Sequence, residues 1–399
     1  MHSYGSRRGV VLALGTAQTL AWASSFYLPA MLARAMARDV GVATPTVYAV
    51  LSMALVVSAL VGPLAGRQID RHGGRPVLLA ATAMFALGLA ALAIAQGPWT
   101  LIAAWVLLGL AMGAGLYDAA FAAVVYLYGQ GARKSITGIT LLAGFASTVG
   151  WPLTAWFETR WGWRGACAAW AALHLVVAAP LYALLPRLPA REAAQPTAPA
   201  PAMVDDTEVP PQRGLAPLLA AIFALLSIVS TSIATHLPAL LQAAGATLAV
   251  AVATAALVGP AQVAARLLEI SVMRRLSPLV AARAAALGHP VAVLVLLGLG
   301  GLGGPLGGAA LLPFAVLHGL GNGLITIVRG TLPLALFGAA GYGARQGWLT
   351  LPARMLGALS PWLFGIALDR LGVQALWISG ALGLAAFSGL LLLRLPART

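Results

Sequence analysis

Charge is what this 399-residue chain has least of: Asp, Glu, Lys and Arg make up 9% of it, and only ten residues are acidic. A surface that poor in charge cannot face water, and with 60% hydrophobic residues and a mean hydropathy of +0.90 the chain reads as an integral membrane protein. Cys167 is the single cysteine, so an internal disulfide is excluded. No polar block is large enough for a soluble catalytic domain. No His, Cys or carboxylate cluster has metal-ligand spacing, and no nucleophile sits beside a base, which leaves no enzyme and no cofactor to propose. The glycines from Gly298 to Gly308 lack a following Lys-Ser/Thr and read as close helix packing rather than a phosphate loop. The net charge of +14 is scattered singly between apolar runs, which argues against nucleic acid.

What is present is a series of apolar runs, each near the ~20 residues that cross a hydrocarbon layer as a helix. Twelve are expected, at 10–33, 46–66, 75–96, 99–127, 135–157, 164–185, 215–241, 247–271, 279–300, 305–328, 343–367 and 373–394. Met1 to Arg8 and the run behind it read as the first of these rather than a cleaved leader, because no small-residue cleavage site follows. Arginines concentrate in alternate connections, among them Arg67, Arg71, Arg75, Arg274, Arg275 and Arg345, together with Lys134, the only lysine. By the positive-inside rule both termini and the middle of the chain are cytoplasmic.

Residues 190–214 hold Pro196, Pro199, Pro201, Pro210 and Pro211 with Asp205, Asp206 and Glu208, a composition that cannot bury a core and reads as a flexible linker. It separates residues 1–189 from 215–399, six spans each. Across it the sequence echoes itself: Leu28-Pro29-Ala30 returns as Leu237-Pro238-Ala239, and Val61-Gly62-Pro63 as Val258-Gly259-Pro260. Trp151-Pro152-Leu153 answers Ser360-Pro361-Trp362, and Pro29/Pro238 and Pro152/Pro361 share an offset of 209 (238 − 29 and 361 − 152). Six spans per half give the repeats the same orientation, a parallel repeat.

Between the second and third spans lies Gly66-Arg67-Gln68-Ile69-Asp70-Arg71-His72-Gly73-Gly74-Arg75. This loop resembles the signature of the major facilitator superfamily: Gly, three residues, Asp-Arg, one residue, Gly, then bases. It departs at Gly74, where a base is common, and at Gln68, where leucine is. The resemblance implies an all-α membrane fold of two six-helix bundles with a substrate at their interface, alternating access by rocking, and a gate built from Asp70 with Arg67, Arg71 and Arg75. Ser25-Phe26-Tyr27-Leu28-Pro29, Gly162-Trp163-Arg164-Gly165 and an arginine in the eighth span are similar to the monocarboxylate-transporter branch. That branch often carries a lysine near the end of the first span; here Arg34 follows a few residues on.

Ionisable groups inside spans are expensive, about 2.5–3.5 kcal/mol on insertion scales, and therefore mark function. Asp118 is the one deep carboxylate and is expected to carry the proton, with a fixed ion pair as the other reading; Glu269, nearer a span end, joins it. Arg266 lies eight residues before Arg274, about 12 Å inside the membrane edge. A guanidinium holds a carboxylate through two parallel hydrogen bonds, so Arg266 is expected to bind an anion, although Arg266-x-x-Glu269 also mirrors Arg67-x-x-Asp70 and would suit a gate. Arg354 is a second anion contact, and His318, Asn322, Tyr117 and Tyr27 complete the expected substrate set. His318 and Asn322, four apart on one helix face, equally suit helix–helix hydrogen bonds, and Arg329 is expected to snorkel to the interface. His236, Gln18 and Trp22 are weaker candidates, and His174 none.

The sequence therefore reads as a monomeric secondary transporter in a bacterial inner membrane, moving a small monocarboxylate-like organic anion with protons. Proton-coupled efflux of amphipathic compounds stays open as the alternative, and a transporter-shaped sensor as a third reading.

Overall fold

The structure, a computed structural model, describes residues 6–128, 132–186, 214–271, 277–300, 309–337 and 342–394. The expected linker, apart from Gly214, lies outside the described residues, as do Arg274 and Arg275. All regular structure among the described residues is helical, the solution that apolar runs of this length require, since a helix satisfies its own backbone without water.

In the first half the helices are α1 (Arg7–Ser24), α2 (Pro29–Val40), α3 (Thr44–His72), α4 (Gly74–Ala93), α5 (Pro98–Gly115), α6 (Tyr117–Tyr128), α7 (Arg133–Ala143), α8 (Ala146–Leu173) and the short α9 (Ala179–Ala183). The second half holds α10 (Leu215–Ala243), α11 (Leu248–Ala256), α12 (Val258–Ser271), α13 (Pro278–Gly300), α14 (Leu311–Phe337), α15 (Tyr342–Leu371) and α16 (Leu376–Leu392). Among the described residues, ten helical stretches are long and apolar enough to cross a membrane. Two of them, Ser135–Ala183 with 49 residues and Leu349–Leu392 with 44, are about twice the ~30 Å hydrocarbon thickness at 1.5 Å per residue. Each turns at a glycine in the left-handed region, Gly162 (φ 68°) and Gly372 (φ 56°), so each supplies two crossings.

Among the described residues four crossings are broken in mid-course: between α1 and α2 at Ser25–Leu28, between α5 and α6 at Leu116, between α7 and α8 at Gly144 and Phe145, and between α11 and α12 at Leu257. Leu116 is extended (φ −84°, ψ −165°), and the buried Gln18 donates Nε2–H to the Gly115 carbonyl that the break exposes, at 2.6 Å. Irregular backbone at membrane depth survives where protein or a wet cavity surrounds it. The breaks thus mark the helices that face the centre.

Arg7 Nε donates to Ser135 Oγ (2.8 Å) and Arg75 Nη1 to the Leu185 carbonyl (3.3 Å), which gathers the start of α1, the 66–75 segment and the end of α9 on one face, here the termini end. At the far end, Asp39 of α2 accepts from Trp163 Nε1 (2.8 Å) and pairs with Arg164, whose Nη2 reaches the Ala95 carbonyl (2.7 Å). The Gly162 turn is what aims Trp163 and Arg164 at Asp39.

Helices α3 and α15 run antiparallel across the interface between the halves. Toward the far end Tyr48 lies against His236 and Gly365, and the Trp362 amide donates to Ser52 Oγ (3.3 Å). On the other side of the molecule Thr148 of α8 donates to the Ala256 carbonyl of α11 (2.7 Å). Past Ser52, α3 and α15 diverge around a crevice.

Candidate functional site

The crevice has a volume of about 320 Å³, within the usual range for small-ligand sites. From the first half Trp22 of α1, Phe26 of the break that follows it, Ser58 and Gly62 of α3, and Tyr117 and Asp118 at the start of α6 line it. The second half contributes Ser227 and Thr231 of α10, Arg329 of α14, and Arg354 of α15.

Asp118 reaches across the interface. Its Oδ2 lies 3.3 Å from Arg354 Nη2, and the two side chains keep 66% and 51% of their accessibility, so the pair is solvent-facing and joins the two halves. The break at Leu116 explains the placement: it starts a new helix at Tyr117 and puts Asp118 in that helix's first turn, where exposed amides favour a carboxylate. Arg329 is half-buried, lines the same crevice and lies within electrostatic reach of Arg354. Arg329 thus lines the crevice rather than snorkelling to the lipid interface. A snorkelling arginine and a cavity-lining one at the same depth look alike in sequence, and only the rotation of α14 separates them.

One wall is aromatic. Trp22 packs on Tyr117 with ring centroids 5.0 Å apart and on Phe26 at 5.4 Å, and Tyr117 stacks on Phe121 at 5.2 Å. Tyr27 packs behind this wall, between Phe26 at 5.2 Å and Trp151 at 5.4 Å, and does not line the crevice.

Arg266 is buried, 8% exposed, in the seam between α7 and α12, where Nη1 donates to the Thr140 carbonyl of the other half at 2.8 Å. Its Nε is buried without a partner, and Tyr27 and Tyr117 lie within electrostatic reach. It is not among the residues lining the crevice. Glu269, one turn on, is partly exposed. His318 and Asn322 sit inside the second half: His318 Nδ1 meets His289 Nδ1 at 2.9 Å, and Asn322 Oδ1 accepts from Ser230. Arg67, Asp70 and Arg71, expected in a loop, instead belong to the last turns of α3; they are exposed at the termini end, and Asp70 has no ion-pair partner among the described residues.

The structure thus brings Asp118, Arg354 and Tyr117 together with Arg329, leaves Arg266 and Tyr27 behind the crevice wall, and separates His318, Asn322 and the 66–75 segment from it. No group of three or more potential metal ligands occurs among the described residues.

Comparison with known proteins gives the same architecture. A solved nucleoside transporter, NupG, crystallised as a point mutant, superposes with a TM-score of 0.75 over 97% of this chain and 99% of that one at 13% identity. A bacterial homologue of the human lysosomal transporter Spinster, in an inward-facing and occupied conformation, gives 0.69 over 97% of each chain at 14% identity. Over 155 residues the chain is 30% identical to a gallate transporter of Pseudomonas putida, a match covering 39% of this chain and 34%, about a third, of that relative. The family profile described as Major Facilitator Superfamily matches residues 14–350, and the chain belongs to that superfamily of transporters.

Proposed function

We propose that the protein carries a small organic anion together with protons, by alternating access between bundles 1–189 and 215–399 in a bacterial plasma membrane, with both termini cytoplasmic. The observation that carries this is the Asp118–Arg354 pair bridging the halves inside a crevice that also holds Arg329. Arg354 presents a guanidinium to that lining, which an anion can take as its partner and an amphipathic cation cannot.

Arg354 offers one guanidinium to two competitors. A substrate carboxylate that takes both of its N–H groups displaces Asp118, and the released carboxylate, having lost its cation, becomes the group that accepts a proton. The loaded crevice then holds a neutralised Asp118 and an anion paired with Arg354, so the ion pair lost between the halves is replaced by one between the protein and its substrate. The gallate-named relative fits this chemistry: gallate is an aromatic carboxylate, and the Trp22–Tyr117 wall offers ring faces beside the guanidiniums.

The test is transport in proteoliposomes. Arg354→Ala should weaken anion affinity by ~1.5–3 kcal/mol, roughly tenfold to a hundredfold, the value of hydrogen bonds to a charged group. Asp118→Asn should abolish accumulation driven by a pH gradient while anion exchange continues. Uphill accumulation that persists in Asp118→Asn overturns the proton role, and unaltered affinity in Arg354→Ala overturns the anion site.

A further inference from the structure

We infer that His236 Nδ1 is a second proton-binding site, loaded from the far end, and that a proton there opens the seam between the halves at that end. It concerns a different residue, seam and face from the crevice, and it holds whatever the substrate proves to be.

The protonation pattern follows from partners. His236, on α10, is fully buried, and its Nε2 lies 2.8 Å from the Pro361 carbonyl. A carbonyl only accepts, so Nε2 carries the hydrogen. In the neutral ring Nδ1 is then a bare lone pair, and it is buried with no hydrogen-bond partner. What buries it belongs partly to the other half: the Tyr48 ring of α3 packs on the imidazole at a centroid distance of 3.9 Å, with Phe364 of α15 at 5.7 Å. Gly365 completes the enclosure, since a Cβ there would stand 3.3 Å from both His236 Cε1 and Tyr48 Cδ2. The Tyr48 hydroxyl is already committed to the Pro29 carbonyl at 3.3 Å.

The charged groups around the seam do not replace a partner. Arg34 of α2 and Asp369 of α15 are exposed and lie within electrostatic reach of Tyr48, one of each sign. Helix α11, the turn at 372–375 and α16 contribute no ionisable side chain. A proton arriving on Nδ1 therefore creates a second N–H donor and a full positive charge on a buried atom with no hydrogen-bond partner. Parting Tyr48 from His236 supplies one, because water then reaches Nδ1. By linkage, protons favour the state in which the far end is open, and closing that end expels them. The step is a simple transfer, hydronium giving its proton to the imidazole and leaving as water.

Labelling of the full-length protein in liposomes tests this. In a Cys167→Ala background, which removes the only native thiol, Ala30→Cys places one in α2. Ala30 is 9% exposed and buried among Ile233, Leu237 and Leu240 of the other half, so the thiol is shielded while the far end is closed. Between about pH 8 and about pH 5.5, the range over which an ordinary imidazole gains its proton, labelling by a membrane-impermeant thiol reagent, taken at each pH relative to that of the denatured protein so that the fall in thiolate cancels, should rise several-fold. His236→Gln retains an N–H for the Pro361 carbonyl but cannot titrate, and it should label at the low, closed level at both pH values. An acid response of the same size in His236→Gln, or none in the parent, overturns the proposal. Tyr48→Ala supplies the check should His236→Gln fail to fold: with the lid removed, labelling should be high at both pH values, and an undiminished acid step overturns the proposal equally.

Discussion

A buried imidazole with two committed nitrogens differs chemically from one with a spare lone pair, and the second half holds both kinds. Ser379 donates its hydroxyl to the Leu376 carbonyl (3.0 Å), so its oxygen must accept from His289 Nε2 (3.0 Å). His289 Nδ1 is then the acceptor for His318 Nδ1–H at 2.9 Å, and the proton order through three helices is fixed. This is a clamp across α13, α14 and α16, about one turn of α14 from Asn322, and it lies away from the crevice lining. His289→Ala should therefore lower stability by ~1–3 kcal/mol, the penalty for leaving buried His318 and Ser379 groups unpaired, seen as a lower unfolding temperature of the purified protein. Anion affinity should stay within about twofold of the parent, since a change of ~0.4 kcal/mol is all that a remote site with no shared partner transmits. A large affinity loss would return His318 to the substrate set. At this scale the sequence showed which residues are ionisable within spans, Asp118 and Arg354 among them. It did not show that they meet, because 236 positions (354 − 118) separate them and no local pattern records a contact across an interface.

Helix pairs show a regularity that composition hides. On α5 a Cβ added at Gly109 would lie 2.6 Å from the Ala54 carbonyl, and one at Gly113 2.7 Å from that of Ser58. On α14 the same spacing recurs: a Cβ at Gly319 would lie 3.0 Å from the Val258 carbonyl, and one at Gly323 2.5 Å from that of Gln262. Both pairs are offset by 210 positions (319 − 109 and 323 − 113), close to the 209 of the proline repeats, so α5 on α3 and α14 on α12 are equivalent small-residue contacts. Nothing local in the sequence singles these glycines out from the 45 in the chain. Of the broken crossings, the one before α2 carries a sequence signal, Pro29 at the first helical position, whereas Leu116 and Leu257 sit in apolar runs, and the break at Leu116 is stabilised by a partner from elsewhere, Gln18 for Gly115. The apolar spans themselves were legible because length and hydropathy are local properties. Gly113→Val should push α5 off α3 beside the crevice, with an overpacking penalty of ~1–3 kcal/mol. Transport should fall while the protein still inserts, and anion affinity by thermal shift should drop with it. Unimpaired transport in Gly113→Val would show that the two helices part freely at this level.

At the scale of the whole molecule, the halves meet through groups that one half lacks and the other supplies. Pro260 of α12 has no N–H, so the Ala256 carbonyl four residues before it loses its ordinary helical donor. Thr148 of the first half provides the missing hydrogen bond at 2.7 Å, and Arg266 provides another in the reverse direction, to the Thr140 carbonyl at 2.8 Å. An orphaned carbonyl is tolerable when water can reach it and costly when it cannot, so the Thr148 bond favours contact of α8 with α11 over their separation. Thr148→Val keeps the shape and removes the donor. It should shift the balance toward the separated state by ~1–3 kcal/mol, readable as a larger share of long distances between spin labels placed on the far ends of α8 and α11. Pro260→Ala gives the carbonyl back a helical partner, and the double variant Thr148→Val/Pro260→Ala should recover most of the short-distance population. Recovery would assign the effect to the unsatisfied carbonyl; an unshifted distribution in Thr148→Val, or a shift that Pro260→Ala leaves untouched, would mean that packing alone holds this seam.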